Sequence, residues 1–129
     1  MTAEGLQVLL VDDNSMNRKV FTMLLKSMGS IVDEAASGAE CLELAAQNKY
    51  DVIFMDHMMP EMDGMETLAK MNQMAESLNK DTPVIALSAN PAEEVQDEYL
   101  SAGFSGYLEK PVFPPMLQKL ISELQKSSQ

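Results

Sequence analysis

The sequence predicts an α/β domain built on a doubly wound, five-stranded parallel sheet, and three observations lead there. Short apolar runs rich in β-branched residues alternate with longer segments whose apolar residues repeat at helical spacing. Runs such as Val8–Val11 and Val52–Met55 are apolar at consecutive positions, as expected of strands covered on both faces. Acidic, hydroxyl and lysine residues follow the ends of the runs, where an open parallel sheet places its ligands.

The first strand is Leu6 to Val11, interrupted only by Gln7. From Ser15 to Met28 the residues Met16, Val20, Leu24 and Met28 recur every fourth position and define a helix face, with Gly29 placed to end it. Ile31 to Glu34 makes a short second strand. Ser37 with Glu40 forms a capping box ahead of a helix carrying Leu42, Leu44 and Ala45. The third strand is Asp51 to Met55, and the next helix runs from Met65 to about Glu76 with Leu68, Met71 and Ala75 on one stripe. Pro83 to Leu87 is the fourth strand. Asn90, Pro91 and Glu93 supply a cap, a first-turn proline and an N3 acid for a helix reaching Ala102, closed by Gly103. Ser105 to Leu108 is the fifth strand. Pro114 to Lys126 carries Leu117, Leu120, Ile121 and Leu124 at helix spacing. Five strands alternating with five helices and joined by right-handed crossovers select the flavodoxin-like order 2-1-3-4-5.

A length of 129 residues suits one domain (1–129, core about 6–125, short tails) that can bury enough surface without a staple. No repeat, low-complexity segment or linker divides it. Cys41 is the only cysteine, so no intrachain disulfide forms, and a reducing, cytoplasmic setting is expected. No apolar run is long enough to span a bilayer, and MTAEG lacks the features of a signal peptide. A formal net charge of −11 repels phosphate backbones, which argues against direct nucleic-acid binding and otherwise serves solubility. The twelve methionines are read mainly as adaptable core filler.

The strand ends carry the chemistry. Asp12, Asp13 and Asn14 follow strand 1, Asp56 ends strand 3, Ser88 ends strand 4, and Lys110-Pro111 follow strand 5. In the order 2-1-3-4-5 these strands are neighbours, so the residues converge. Three crowded carboxylates repel, and an oxygen-loving cation, Mg²⁺ or Mn²⁺, relieves that repulsion. Zinc suits the site less, because His57 is the only histidine and Cys41 lies far from it in the predicted fold. A metal-bound carboxylate beside a lysine and a hydroxyl can accept a phosphoryl group, with Asp56 as nucleophile, Lys110 and the cation neutralising charge and Ser88 donating a hydrogen bond.

VLLVDDNSMNR at Val8–Arg18, MDHMMPEMDG at Met55–Gly64, ALSAN at Ala86–Asn90 and YLEKP at Tyr107–Pro111, in that order, resemble the four motifs of the receiver domains of two-component response regulators, the CheY-like group. The resemblance covers about Leu6 to Leu124. It implies that Asp12 and Asp13 are the acidic metal pair, Asp13 directly and Asp12 through water, with the Met58 carbonyl as a further ligand. It implies phosphorylation of Asp56, contacts from Ser88 and Lys110 to the phosphoryl group, a cis Lys110-Pro111 bond, and Tyr107 as a switch aromatic; by composition alone Tyr107 is an amphipathic edge residue. His57 is expected to point away from Asp56 and to be peripheral. Met58 and Asn90 stand where the family tunes phosphoryl lifetime. Glu93, Glu94, Asp97 and Glu98 suit either the helix dipole or the family's signalling surface on the fourth helix, fifth strand and fifth helix.

The implied partner is a histidine kinase or a histidine phosphotransfer domain, with neither nucleic acid nor membrane contacted and a monomer or weak dimer as the assembly. The first and second motifs look most like receivers of hybrid sensor histidine kinases, so the chain is either a domain of such a kinase or a free-standing regulator. It modifies and demodifies itself rather than turning over a substrate. Two other readings compete: an aspartate-nucleophile, Mg²⁺-dependent phosphatase, disfavoured by Asn14 at the second position after Asp12, and a non-phosphorylated scaffold, disfavoured because every site position is filled.

Overall fold

Each apolar run becomes a strand. The computed structural model describes residues 5–56, 59, 62–73, 79, 82–88, 100–109 and 112–127. In it β1 (Gln7–Val11), β2 (Ile31–Ala35), β3 (Val52–Asp56), β4 (Val84–Ser88) and β5 (Gly106–Glu109) pair in parallel in the order β2-β1-β3-β4-β5. This is the doubly wound, flavodoxin-like order predicted. β3 and β4 are buried at every position, as the consecutive apolar residues require, whereas β2 lies at one edge and is largely open to solvent.

Strand pleating divides the core into two layers. Leu9, Val11, Ile53, Met55, Val84 and Ala86 face one side, where they meet Cys41 and Ala45 of α2 (Gly38–Gln47) and Leu68 and Met71 of α3 (Gly64–Asn72). Val8, Leu10, Val52, Phe54, Ile85 and Leu87 face the other, against Phe21 and Leu25 of α1 (Ser15–Ser27) and Leu117 and Ile121 of the C-terminal helix (Pro114–Ser127). Phe21 and Phe54 stack obliquely with ring centroids 5.1 Å apart, fixing α1 across β3. Burial pushes the Cys41 thiol up to about 12, so it stays protonated in the core.

The predicted face of α1 is corrected. Met16 is 67% exposed and Val20 61% exposed, while Phe21, Thr22 and Leu25 are the buried positions. Four positions span 400° of helix, so a strict i+4 row drifts by about 40° per step and leaves a flat contact face. Only its later members, Leu24 and Met28, reach the core. The capping box at α2 also differs slightly. Ser37 Oγ accepts from the Glu40 N–H at 3.2 Å, but Glu40 reaches back to the Ala36 N–H rather than to that of Ser37. Gly29 and Gly103 take the positive φ values of 95° and 108° at their helix ends, as predicted. Gly38 is required by space: a methyl group there would overlap the Thr67 hydroxyl and crowd Met62 Sδ, so α2 starts hard against α3 and the loop before it. Residues 74–78 and 89–99, which hold the expected end of the third helix and most of the fourth, lie outside the described residues; residues 100–102 are helical.

The end of the sheet where the strands begin is tied by a buried amide. Asn79 is 3% exposed. Its Nδ2 donates to the carbonyls of Ala45 and Asn48, both at 2.8 Å, and its Oδ1 accepts from the Tyr50 N–H at 2.8 Å and the Thr82 hydroxyl at 3.0 Å. The Tyr50 hydroxyl in turn donates to Asp33 at 2.8 Å, and burial together with that carboxylate raises the phenol's pKa. One side chain thus joins the end of α2 to the entries of β3 and β4. Replacing it strands a buried N–H and two carbonyls, each costing about 1–3 kcal/mol when unpaired. Asn79→Ala is therefore expected to lose about 3 kcal/mol or more in urea unfolding.

Candidate functional site

The opposite end of the sheet gathers the acids. β1 and β3 run in register to Val11 opposite Met55, so the next residues, Asp12 and Asp56, leave the sheet side by side. Both share the pleat parity of Leu10 and Phe54, which directs their side chains alike. Asp12 is 2% and Asp56 5% exposed; Asp13 turns outward. Each of the three offers a carboxylate oxygen, and those oxygens all lie within 4.8 Å of one another. Among the described residues this is the sole cluster of potential metal-binding side chains.

Local bonds hold the acids there. The Asp12 N–H extends the ladder to the Ala35 carbonyl at 3.1 Å. Asp12 Oδ1 accepts from the Asn14 N–H at 2.9 Å, and Asn14 caps α1 by accepting from the Asn17 N–H at 3.0 Å. The Asp12 carbonyl accepts from Arg18 Nη1 at 2.7 Å, while Arg18 Nε meets Glu34 at 3.2 Å. The sequence placed Asn14 among the residues after strand 1 but gave it no role, and gave Arg18 no role in the site. The cap was legible, because an Asn preceding a helix is a standard signal; the arginine's reach of six residues back to a carbonyl was not.

Ser88 ends β4, 4% exposed, one residue beyond the Asp56–Leu87 pair. Tyr107 pairs with Ala86 in β5 and is partly buried against the layer that holds α2 and α3. The expected roles of Met58, Lys110, Pro111, His57, Asn90, Glu93, Glu94, Asp97 and Glu98 fall on positions outside the described residues. Glu109 pairs with Ser88 at the same end of the sheet. Next to Asp12 a cavity of about 320 Å³ opens between α1 and the segment after β5, lined mainly by Val20, Phe21, Leu24, Leu87 and Val112.

Three oxygens at these separations fit a hard divalent cation. Oxygens sharing one octahedral Mg²⁺ at about 2.1 Å lie about 3.0 Å apart when adjacent and about 4.2 Å when opposite, so the carboxylates would draw together around a shared ion. Without a cation, the like charges oppose one another in a partly desolvated setting.

Comparison with known proteins agrees with this geometry. The family model for the response regulator receiver domain matches residues 8–122. The signal transduction histidine-protein kinase BarA of Escherichia coli is 36% identical over 117 residues, 91% of this chain but 12% of that protein. Two solved receivers are similar throughout. That of the Pseudomonas aeruginosa sensor histidine kinase PA1611, with a magnesium ion in its active-site cleft, gives a TM-score of 0.83 at 32% identity over 93% of this chain and 97% of its own. That of the Arabidopsis thaliana histidine kinase CKI1, complexed with Mg²⁺ and BeF₃⁻, gives 0.81 at 36% identity over 95% and 91%. The chain spans 6% of the length of the Dictyostelium discoideum hybrid signal transduction histidine kinase B and 13% of that of the Arabidopsis thaliana histidine kinase 3. Among the described residues no helix is long and apolar enough to cross a membrane.

Crowding of the acids has a measurable cost in the absence of any cation. Asp13→Asn is expected to raise stability by about 1 kcal/mol in urea unfolding with chelator present, since it removes one of three mutually repelling charges.

Proposed function

The chain belongs to the response regulator receiver domain family, and on that premise we propose that Asp56 is its phosphoacceptor, that Asp12, Asp13 and the Met58 carbonyl join Asp56 in holding Mg²⁺, and that a phosphohistidine protein is the donor. The observation that carries the reading is a nearly buried carboxylate, Asp56, within 4.8 Å of two further acids. The magnesium held by the receivers of PA1611 and CKI1 supports the choice of ion.

In this reading an Asp56 carboxylate oxygen attacks the phosphorus of the donor. A P–O bond forms, the P–N bond breaks, and its electron pair returns to the imidazole. Burial strips Asp56 of most of its water, leaving an oxygen free of a hydration shell to displace. When bound, Mg²⁺ neutralises charge on the transferring group. Asp12, fixed at its N–H, its carbonyl and its carboxylate, serves as the rigid wall of the site. Ser88 supplies a hydroxyl to a phosphoryl oxygen, Lys110 an ion pair, and Tyr107, held only partly in the core, the side chain that changes place on activation.

A histidine kinase or phosphotransfer protein must lay its histidine over the acids and so must cover their rim. Val20 lines the cavity beside Asp12 and is 61% exposed, and Met16 stands near it on α1 at 67%. This apolar shoulder suits a protein donor.

Incubation with acetyl phosphate and Mg²⁺ is expected to add one phosphoryl group by intact mass, lost in Asp56→Asn and in chelator. An unmodified wild-type mass under those conditions overturns the assignment. Val20→Glu is expected to slow transfer from a phosphohistidine protein donor at least tenfold while leaving labelling by acetyl phosphate within twofold. Equal slowing with both donors would remove α1 from the docking face.

A further inference from the structure

Among the described residues, the Arg18 side chain bonds the backbone between Asp12 and Asp13, at the Asp12 carbonyl. We infer that Arg18, braced by Glu34, is a positioning residue for the divalent-cation site, acting by fixing the peptide plane that joins Asp12 to Asp13; the inference rests on the phosphoacceptor reading above.

The ladder between β1 and β2 ends with the Asp12 N–H on the Ala35 carbonyl. Past it, the Asp12–Asp13 peptide leaves the β1–β2 ladder. Arg18 Nη1 takes over, donating to the Asp12 carbonyl at 2.7 Å. Because a peptide unit is planar, holding that oxygen also holds the Asp13 nitrogen and Cα, and hence the direction in which the Asp13 carboxylate leaves the chain. Asp12 itself is tied at Oδ1 by the Asn14 N–H at 2.9 Å, so its own side chain has a separate restraint. Asp13, the exposed acid, depends on the plane.

The arginine is itself immobilised. Its backbone N–H bonds the Asn14 carbonyl at 3.0 Å within the first turn of α1. Its Nε bonds Glu34 Oε1 at 3.2 Å, and its side chain is 18% exposed against 41% for Glu34. A guanidinium holds its donors on separate nitrogens in one rigid plane, whereas an ammonium gathers its three donors on a single nitrogen at the end of a flexible stem. Glu34 sits in β2 opposite Leu10, two residues before Asp12. The brace therefore runs from the edge strand, through the arginine, to the acid pair.

The sign of the effect separates positioning from charge. Arg18 carries a positive charge close to a site for a dication, so its removal should tighten cation binding by Coulomb's law alone. Loss of positioning should weaken it, and outer partners that orient metal-binding groups are worth about 10–100-fold in affinity. The test is Mg²⁺ binding by calorimetry, with Mn²⁺ electron paramagnetic resonance as a spectroscopic check, on unphosphorylated wild type, Arg18→Ala and Arg18→Lys. Urea unfolding in chelator records the fold of each. Arg18→Ala is expected to bind Mg²⁺ about tenfold more weakly. Arg18→Lys, which keeps the charge and loses the fork, is expected to remain at least threefold weaker than wild type. An affinity in Arg18→Ala that is unchanged or tighter, with the protein folded, overturns the inference. Should Arg18→Ala fail to fold, Arg18→Lys decides: weaker binding supports the brace, and wild-type affinity overturns it. Wild-type protein that binds no Mg²⁺ overturns the phosphoacceptor reading and this inference with it, whereas wild-type binding with an indifferent variant sinks the brace alone.

Discussion

Negative charge packed at one end of a parallel sheet is the constraint that organises this molecule. Parallel pairing brings every strand out at the same end, and the register of β1 with β3 sets Asp12 beside Asp56 before any side chain chooses a rotamer. Two of the three carboxylates are almost wholly buried, so water cannot screen them well. The surrounding bonds can be understood as restraints on groups that would otherwise move apart. The ladder holds the Asp12 N–H, the cap residue holds its carboxylate, and α1 reaches back to hold its carbonyl. The helix is positioned for this task by Phe21 stacking on Phe54, two residues before Asp56.

The same restraints explain which parts of the chain could be foreseen. Strand identity was legible because buried parallel strands need apolar residues at successive positions, and VLLV, VIFM and VIAL offer little else. Their order followed from alternation and handedness, and the order alone assembled Asp12, Asp13, Asp56 and Ser88. A single acid at a strand end is usually a solvated loop residue; these could be named in advance because several polar positions arrive together at neighbouring strand ends. By contrast, the face of α1 was misjudged. Met16 and Val20 obey a helical repeat yet stand in solvent, because composition reports that a residue is apolar without reporting which side of the helix meets the sheet. Asn79 and Arg18 escaped for a related reason. Each acts on backbone carbonyls, Arg18 six residues back and Asn79 more than thirty, and backbone atoms are alike at every position.

Membership of the receiver family makes phosphorylation the natural work of the acidic end, and the chain's small share of its relatives' length indicates how that work is embedded in them. In those kinases a receiver is one station among several. Its surface therefore has to serve a donor as well as the chemistry, and the exposed apolar side chains of α1 lie beside the acids rather than across the molecule from them. The acids and the exposed apolar residues of α1 thus share one rim.

The knot around Asn79 lies at the other pole, where the strands begin. Four hydrogen bonds from one buried amide lock α2, β3 and β4 together there. Such an arrangement splits the labour of the fold between its ends: one pole supplies cohesion and the other is left free to carry frustration. A domain anchored in this way keeps its cohesion apart from its charged rim. It also means that sequence change at the rim, where partners are chosen, is buffered by a structure whose stability is kept elsewhere.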